Sequence, residues 1–258
     1  MRPAAALTLF SAVLSLTAFA AAPIVTTTTP TGITTASAQL NGTINPGAES
    51  TTGWFRMDTT SPGTCNDTFG TRVPTTGGTG VGSGSTATPF NILATGLLPG
   101  TTYYVCAIAS NASGTAFGAV VSFSTPAQAP ATTSTAATFV TSNSATLNGS
   151  AIPRGASSEG FFRYSATNPG SCSNSFGTRV PATGGTALGN GNTSVNFTEN
   201  ITGLQAGVTY YYCAIATNAQ GTGLGNLLSF TALVTAPTVA TSSASGIGGT
   251  QANLNGLI

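Results

Sequence analysis

Charge is nearly missing from this chain. Of its 258 residues only 4% are charged, six Lys+Arg against five Asp+Glu, and there is no His. All six basic residues are Arg, so Lys is absent as well. An ordinary globular protein is about a quarter charged. Acid–base catalysis draws on His, Lys and paired carboxylates, and here that stock is almost empty. A net charge of +1 also argues against nucleic acid, whose binding rests on a basic patch. What is present is Thr, Ser, Gly, Ala and Asn around a hydrophobic fraction of 40%, enough to bury a core. Disordered chains are instead rich in Lys and Glu.

Long hydrophobic runs are scarce too. The single run, over residues 4–18, follows Met1-Arg2 and leads into the small-x-small site Ala18-Phe19-Ala20, the pattern of a secretory leader. Residues 1–20 are therefore expected to be a signal peptide, leaving 258 − 20 = 238 residues. A membrane anchor is the competing reading, since about 18 apolar residues nearly span a bilayer. The small residues ahead of Pro23 favour cleavage, and with it no membrane insertion of the mature chain. An exported chain can form disulfides, and four Cys is an even number.

The dominant feature is an internal repeat. Ala22-Pro23 returns as Ala129-Pro130 and Ala236-Pro237, at offsets of 130 − 23 = 107 and 237 − 130 = 107. Leu40-Asn41-Gly42 recurs at that offset as Leu147-Asn148-Gly149 and Leu254-Asn255-Gly256. Cys65 and Cys106 map onto Cys172 and Cys213 without a gap. Residues 21–128 and 129–235 are thus two complete units, and 236–258 is the first part of a third.

Within a unit the period is that of strands. Segments rich in Val, Ile, Thr, Tyr and Phe are punctuated by Gly, Pro, Asn and Ser, with little helical periodicity. Strands are expected near 23–29, 36–44, 52–58, 68–73, 89–95, 101–110 and 117–125, the pattern of an antiparallel sandwich. The Gly-rich stretch 77–84 falls in a connection. A phosphate loop would need a Lys after its last Gly, and there is none.

Leu97-Leu98-Pro99-Gly100-Thr101-Thr102-Tyr103, followed by Val105, Ala107, Ala109, Asn111 and Gly114, resembles the sixth-strand signature of fibronectin type III domains. The second copy reads Leu204-Gln205-Ala206-Gly207-Val208-Thr209-Tyr210, then Tyr212, Ala214, Ala216, Asn218 and Gly221. Ser37 to Pro46, with Phe55 and Met57 on the next strand, is similar to fibronectin type III-like repeats of bacterial secreted and cell-surface proteins. The resemblance implies an all-β fold of tandem immunoglobulin-like (fibronectin type III-like) antiparallel β-sandwiches. A true immunoglobulin domain fits less well. Its first Cys precedes the core Trp, whereas Cys65 follows Trp54 and the second unit carries Phe161 at that position.

With Tyr103 and Tyr210 as corner tyrosines, alternation turns Tyr103, Val105, Ala107 and Ala109 to the core and Tyr104, Cys106 and Ile108 to the outer face. In this fold the third and sixth strands are neighbours, so Cys65–Cys106 and Cys172–Cys213 bonds would staple a loop onto the outside of the sheet. Zinc is the alternative, but four thiolates split between two units without a C-x-x-C pair make a poor site.

Several residues are candidate ligand contacts. Phe69 and Arg72, in the segment 69–74 repeated letter for letter as 176–181, could meet a sugar or aromatic partner, as could Phe176 and Arg179. A turn packed over the disulfide is the competing reading. Trp54 beside Arg56, with Tyr104 on the next strand, could form a glycan-stacking platform. The second unit has Phe161, Arg163 and Tyr211 there, which also suits an ordinary cross-strand contact. Glu49, Asp58, Asp67, Glu159 and Glu199 do not recur between units and read as solvated surface charge rather than as a glycosidase pair or calcium ligands. Asn66, Asn111 and Asn200 head Asn-x-Ser/Thr sequences, relevant only where such sites are glycosylated.

The expectation is a non-catalytic extracellular structural or adhesion protein at the cell surface, with no cofactor or metal. A short linker with two Pro, near residues 125–130, would set its domains end to end as a spacer or surface-binding rod. Partners would be other surface proteins or glycans, with self-association as a further option. One alternative is an accessory spacer or carbohydrate-binding part of a larger secreted polysaccharide-degrading enzyme. Residues 236–258 raise another: either they belong to a longer array, or they make the chain a fibre subunit that assembles by strand addition.

Overall fold

A computed structural model describes residues 19–257. Most of the signal-peptide expectation, residues 1–18, lies outside them. Among the described residues no helix is long and apolar enough to cross a membrane. The chain divides into two compact units, one running to Leu97 with Thr101–Pro126, the other comprising Leu98–Gly100 and the chain from Ala127 onward.

The first unit contains β1 (Ile24–Thr31), β2 (Ser37–Asn45), β3 (Thr51–Asp58), β4 (Thr71–Val73), β5 (Thr79–Gly82), β6 (Thr88–Thr95), β7 (Thr102–Asn111), β8 (Gly114–Phe117) and β9 (Val121–Ser124). One antiparallel sheet has the order β1-β2-β6. The other is built on the pair β3-β7, with β4 and β5 beside β3 and β8 and β9 beside β7. This three-strand sheet facing a sheet centred on β3 and β7 is the expected fibronectin type III-like antiparallel sandwich. The second unit repeats it with β10 (Ala131–Thr138), β11 (Ser144–Ile152), β12 (Ser158–Ser165), β13 (Thr178–Val180), β14 (Thr186–Gly189), β15 (Val195–Thr202), β16 (Thr209–Asn218), β17 (Gly221–Leu224) and β18 (Leu228–Thr231). A separate two-stranded sheet follows, β19 (Ala240–Ser245) with β20 (Asn253–Leu257).

Alternation builds the core. Tyr103, Val105, Ala107 and Ala109 pack with Leu40, Ile44, Phe55 and Phe90, and the Phe55 and Phe90 rings stack at 4.6 Å. In the second unit Tyr210 accepts a hydrogen bond on its hydroxyl from Gln205 N at 3.0 Å, the corner contact expected of it.

The repeated Leu-Asn-Gly triplet divides three tasks. Leu40 and Leu147 are fully buried. Asn41 Nδ2 donates to Thr29 O and Thr31 Oγ1, bracing the irregularity where β1 loses register with β2; Asn148 and Asn255 do the same at theirs. Gly42 and Gly149 allow close packing, since a Cβ there would lie 2.6 Å from the Phe90 ring or 2.5 Å from Ala214 Cβ.

Two expected elements differ. The Gly-rich connection contains a strand, β5, because Thr79 and Val81 alternate and the edge of β3 at Thr51–Gly53 is open to pair with it. The final strand is split into β8 and β9. Between them Gly118 N donates to Ala107 O, and the Thr27 hydroxyl, from the opposite sheet, accepts a buried bond from Ala107 N at 2.9 Å. Ser134 repeats this with Ala214 N at 2.9 Å. A continuous strand would have taken that N–H for its own ladder.

Candidate functional site

Both disulfides are formed, Cys65–Cys106 at 1.94 Å and Cys172–Cys213 at 1.95 Å, and among the described residues no cysteine is free. Each ties the loop after the third strand back onto the sheet. That loop closes over the outer face, so Cys106 and Ile108 are fully buried in a satellite cluster with Trp54, against which Cys65, Phe69 and Val120 pack. Phe161, Cys213 and Ile215 form the matching cluster under Cys172 and Phe176.

Of the two readings of Trp54, the glycan-stacking platform is not open and a packed aromatic–Arg contact is what the fold makes. Trp54 is only 7% exposed. Its Nε1 donates to Asp67 Oδ1 at 2.9 Å, and the same oxygen accepts from Arg56 Nε at 3.0 Å. The guanidinium over the indole belongs to Arg72, at 4.4 Å from the ring centre, rather than to Arg56, which also reaches Gly70 O at 3.3 Å. Asp67 is consequently no mere solvated charge. It joins the loop to the sheet.

The second unit makes a similar arrangement without the acid. Phe161 has no N–H to offer, Asn174 stands at the position of Asp67 and accepts from Arg163 Nε at 3.5 Å, and Arg163 also donates to Phe176 O at 2.8 Å and Gly177 O at 3.1 Å. Arg179 lies 3.9 Å from the Phe161 ring centre and donates to Pro181 O and Gly184 O. The repeated segment 69–74 owes its Gly to this packing: Gly70 has φ +50°, and a Cβ on it would meet Met57 O at 2.2 Å. Tyr104 and Tyr211 are half-buried on the outer face.

Among the described residues no three His, Cys, Asp or Glu side chains gather where a metal could be held. Glu49 accepts from Ser113 N and Oγ, and Asp58 from Thr59 N and Thr60 N, both as turn acceptors. The Tyr212 phenol is raised above its ordinary value by burial, opposed in part by the Ala137 backbone, and its hydroxyl donates to Thr135 O at 2.6 Å.

Two open surfaces were not anticipated. In the first unit a cleft of about 550 Å³ lies between the edges of β4 and β6, over Met57, Ala94, Leu97 and Tyr103. The second unit carries the larger Tyr164 and Ile201 at the positions of Met57 and Ala94. The other surface, in the second unit, surrounds Phe139. The residue is 83% exposed and its backbone has φ +48°. A sequence signal for it existed: Phe139 breaks the repeat where the other copies have Gly32 and Gly246.

No family model matches the chain, and no curated protein matches it. Among solved structures it is similar to the crystal structure of chicken CNTN1 FN1-FN3 domains, at 14% identity and a TM-score of 0.42, over 84% of this chain and 69% of that one.

Proposed function

We propose that the chain is a non-catalytic extracellular structural or adhesion protein, its sandwiches serving as spacers or surface-binding modules. The observation that supports this most is how the outer-face side chains are used. Trp54, Arg56, Asp67 and Arg72, the residues best suited to chemistry, instead secure a disulfide-bound loop. Each sandwich has one such bond, the device of small domains in oxidising compartments. The surface left over is rich in Thr, Ser and Asn and nearly uncharged, so neighbouring copies repel one another little.

Fractionation of source cells with non-reducing peptide mapping tests this. The chain is expected outside the cytoplasm with Cys65–Cys106 and Cys172–Cys213 oxidised. A cytoplasmic chain with free thiols would overturn the reading.

A further inference from the structure

The bend after the first strand occurs in all three copies. Gly32 and Gly246 take φ +58° there, and Phe139, at the same repeat position, takes +48°. The offsets are 139 − 32 = 107 and 246 − 139 = 107. Asn148 Nδ2 holds this bend in the second unit through Ala136 O at 2.8 Å and Thr138 Oγ1 at 3.1 Å. A bulky side chain in the left-handed region is an outlier that persists where its surroundings impose it, and such outliers cluster at functional sites. Burial offers no compensation here, because Phe139 as a whole is 83% exposed.

Beside the ring lies a shallow depression of about 590 Å³, bordered by Thr141, Ser144, Thr146, Asn200 and Thr202, with no charged lining residue. The Thr146 hydroxyl bonds Asn200 Oδ1 at 2.6 Å, which fixes the carboxamide and leaves its two N–H groups as donors. Three of these features belong to the second unit alone. The first has Gly32, Gln39 and Leu93 at the positions of Phe139, Thr146 and Asn200.

We propose that this face of the second sandwich binds a neutral saccharide. A pyranose ring would lie against Phe139, with its hydroxyls meeting the Asn200 amide and the Thr146 and Thr202 hydroxyls. An isolated aromatic ring among hydroxyls and an amide offers one apolar contact and many directional polar ones, as a sugar requires. A protein partner is less well served, since interface cores concentrate apolar residues and are poor in Ser. The absence of lining charge disfavours acidic sugars.

The inference rests on the surface-binding branch of the proposed function, and fractionation can uphold that function while this site fails. The test uses the full mature chain against immobilised hexamers of β-1,3-glucan, β-1,4-glucan, mannan and chitin. At least one is expected to bind, and Phe139→Gly is expected to weaken it about tenfold, the size of one lost aromatic contact. Asn200→Ala should weaken the same glycan, and Phe117→Ser, an exposed aromatic of the first unit, should not. Since Phe139→Gly restores the residue used by the other copies, its fold is retained. Failure of all four glycans to bind, undiminished binding by Phe139→Gly, a lowered melting temperature in that variant, or its loss of a protein partner instead would each overturn the proposal.

Discussion

Replacing Cys65 and Cys106 together by Ala removes the staple from the first sandwich and leaves Cys172–Cys213 intact in the second. The bond joins residues 41 apart. On the chain-entropy account, freeing a loop of that length destabilises the unit by about 4 kcal/mol. A sandwich of about a hundred residues unfolds with an entropy near 0.2 kcal/mol/K, so its midpoint should fall by roughly 15–20 °C. The chain contains a single Trp, and Trp54 packs in the cluster with Cys106, so its emission reports this unit alone. Thermal unfolding followed by Trp54 emission should show the lowered midpoint, and the folded-state spectrum should shift red as the loop lifts from the indole. The second unit, followed by circular dichroism, should keep its own transition. A Trp54 midpoint lowered by less than about 5 °C, with an unshifted spectrum, would refute the reasoning that this bond holds the loop down.

Thr27→Val leaves the buried Ala107 N–H without its acceptor and should cost the first unit about 1–3 kcal/mol in denaturant unfolding, with Thr27→Ser largely retaining stability. Burial lifts the Tyr212 phenol, so folding favours its protonated form. That stability is fully present below the unfolded pKa of about 10 and is lost as pH rises beyond it. Tyr212→Phe should flatten the alkaline slope of the second unit's stability, measured by unfolding midpoints across pH, while losing about 1 kcal/mol at neutral pH with the bond to Thr135 O. Gly149→Ala should destabilise the second unit by about 1–3 kcal/mol, because its Cβ would press on Ala214. Gly256→Ala, whose Cβ would meet nothing nearer than Ala240 O at 3.5 Å, should leave the melting curve unchanged.

What could be read without coordinates was set by local periodicity and by the repeat. Alternation along 103–109 assigns the core face because successive strand residues point to opposite sides of the sheet, and Tyr103, Val105, Ala107 and Ala109 are indeed inside. The offset of 107 places Cys65 and Cys106 with their counterparts, while their pairing is implied by the fibronectin type III resemblance, whose neighbouring strands are β3 and β7 here.

Whether the other face of the sheet meets water was decided only by tertiary structure. Alternation says that Trp54, Cys106 and Ile108 point outward, but their burial depends on a loop folding back over them. The same limit hid the role of Asp67, whose partners Trp54 and Arg56 reach it only after that fold-back. It hid the insertion of Thr27 between β8 and β9, a contact across 80 residues. Phe139 lies between the two cases. The sequence by itself marks it as the departure from Gly in a repeated bend. Only the fold supplies its left-handed backbone, its open ring and the Asn200 amide beside it, because those follow from strands far apart in the chain being brought to one sheet.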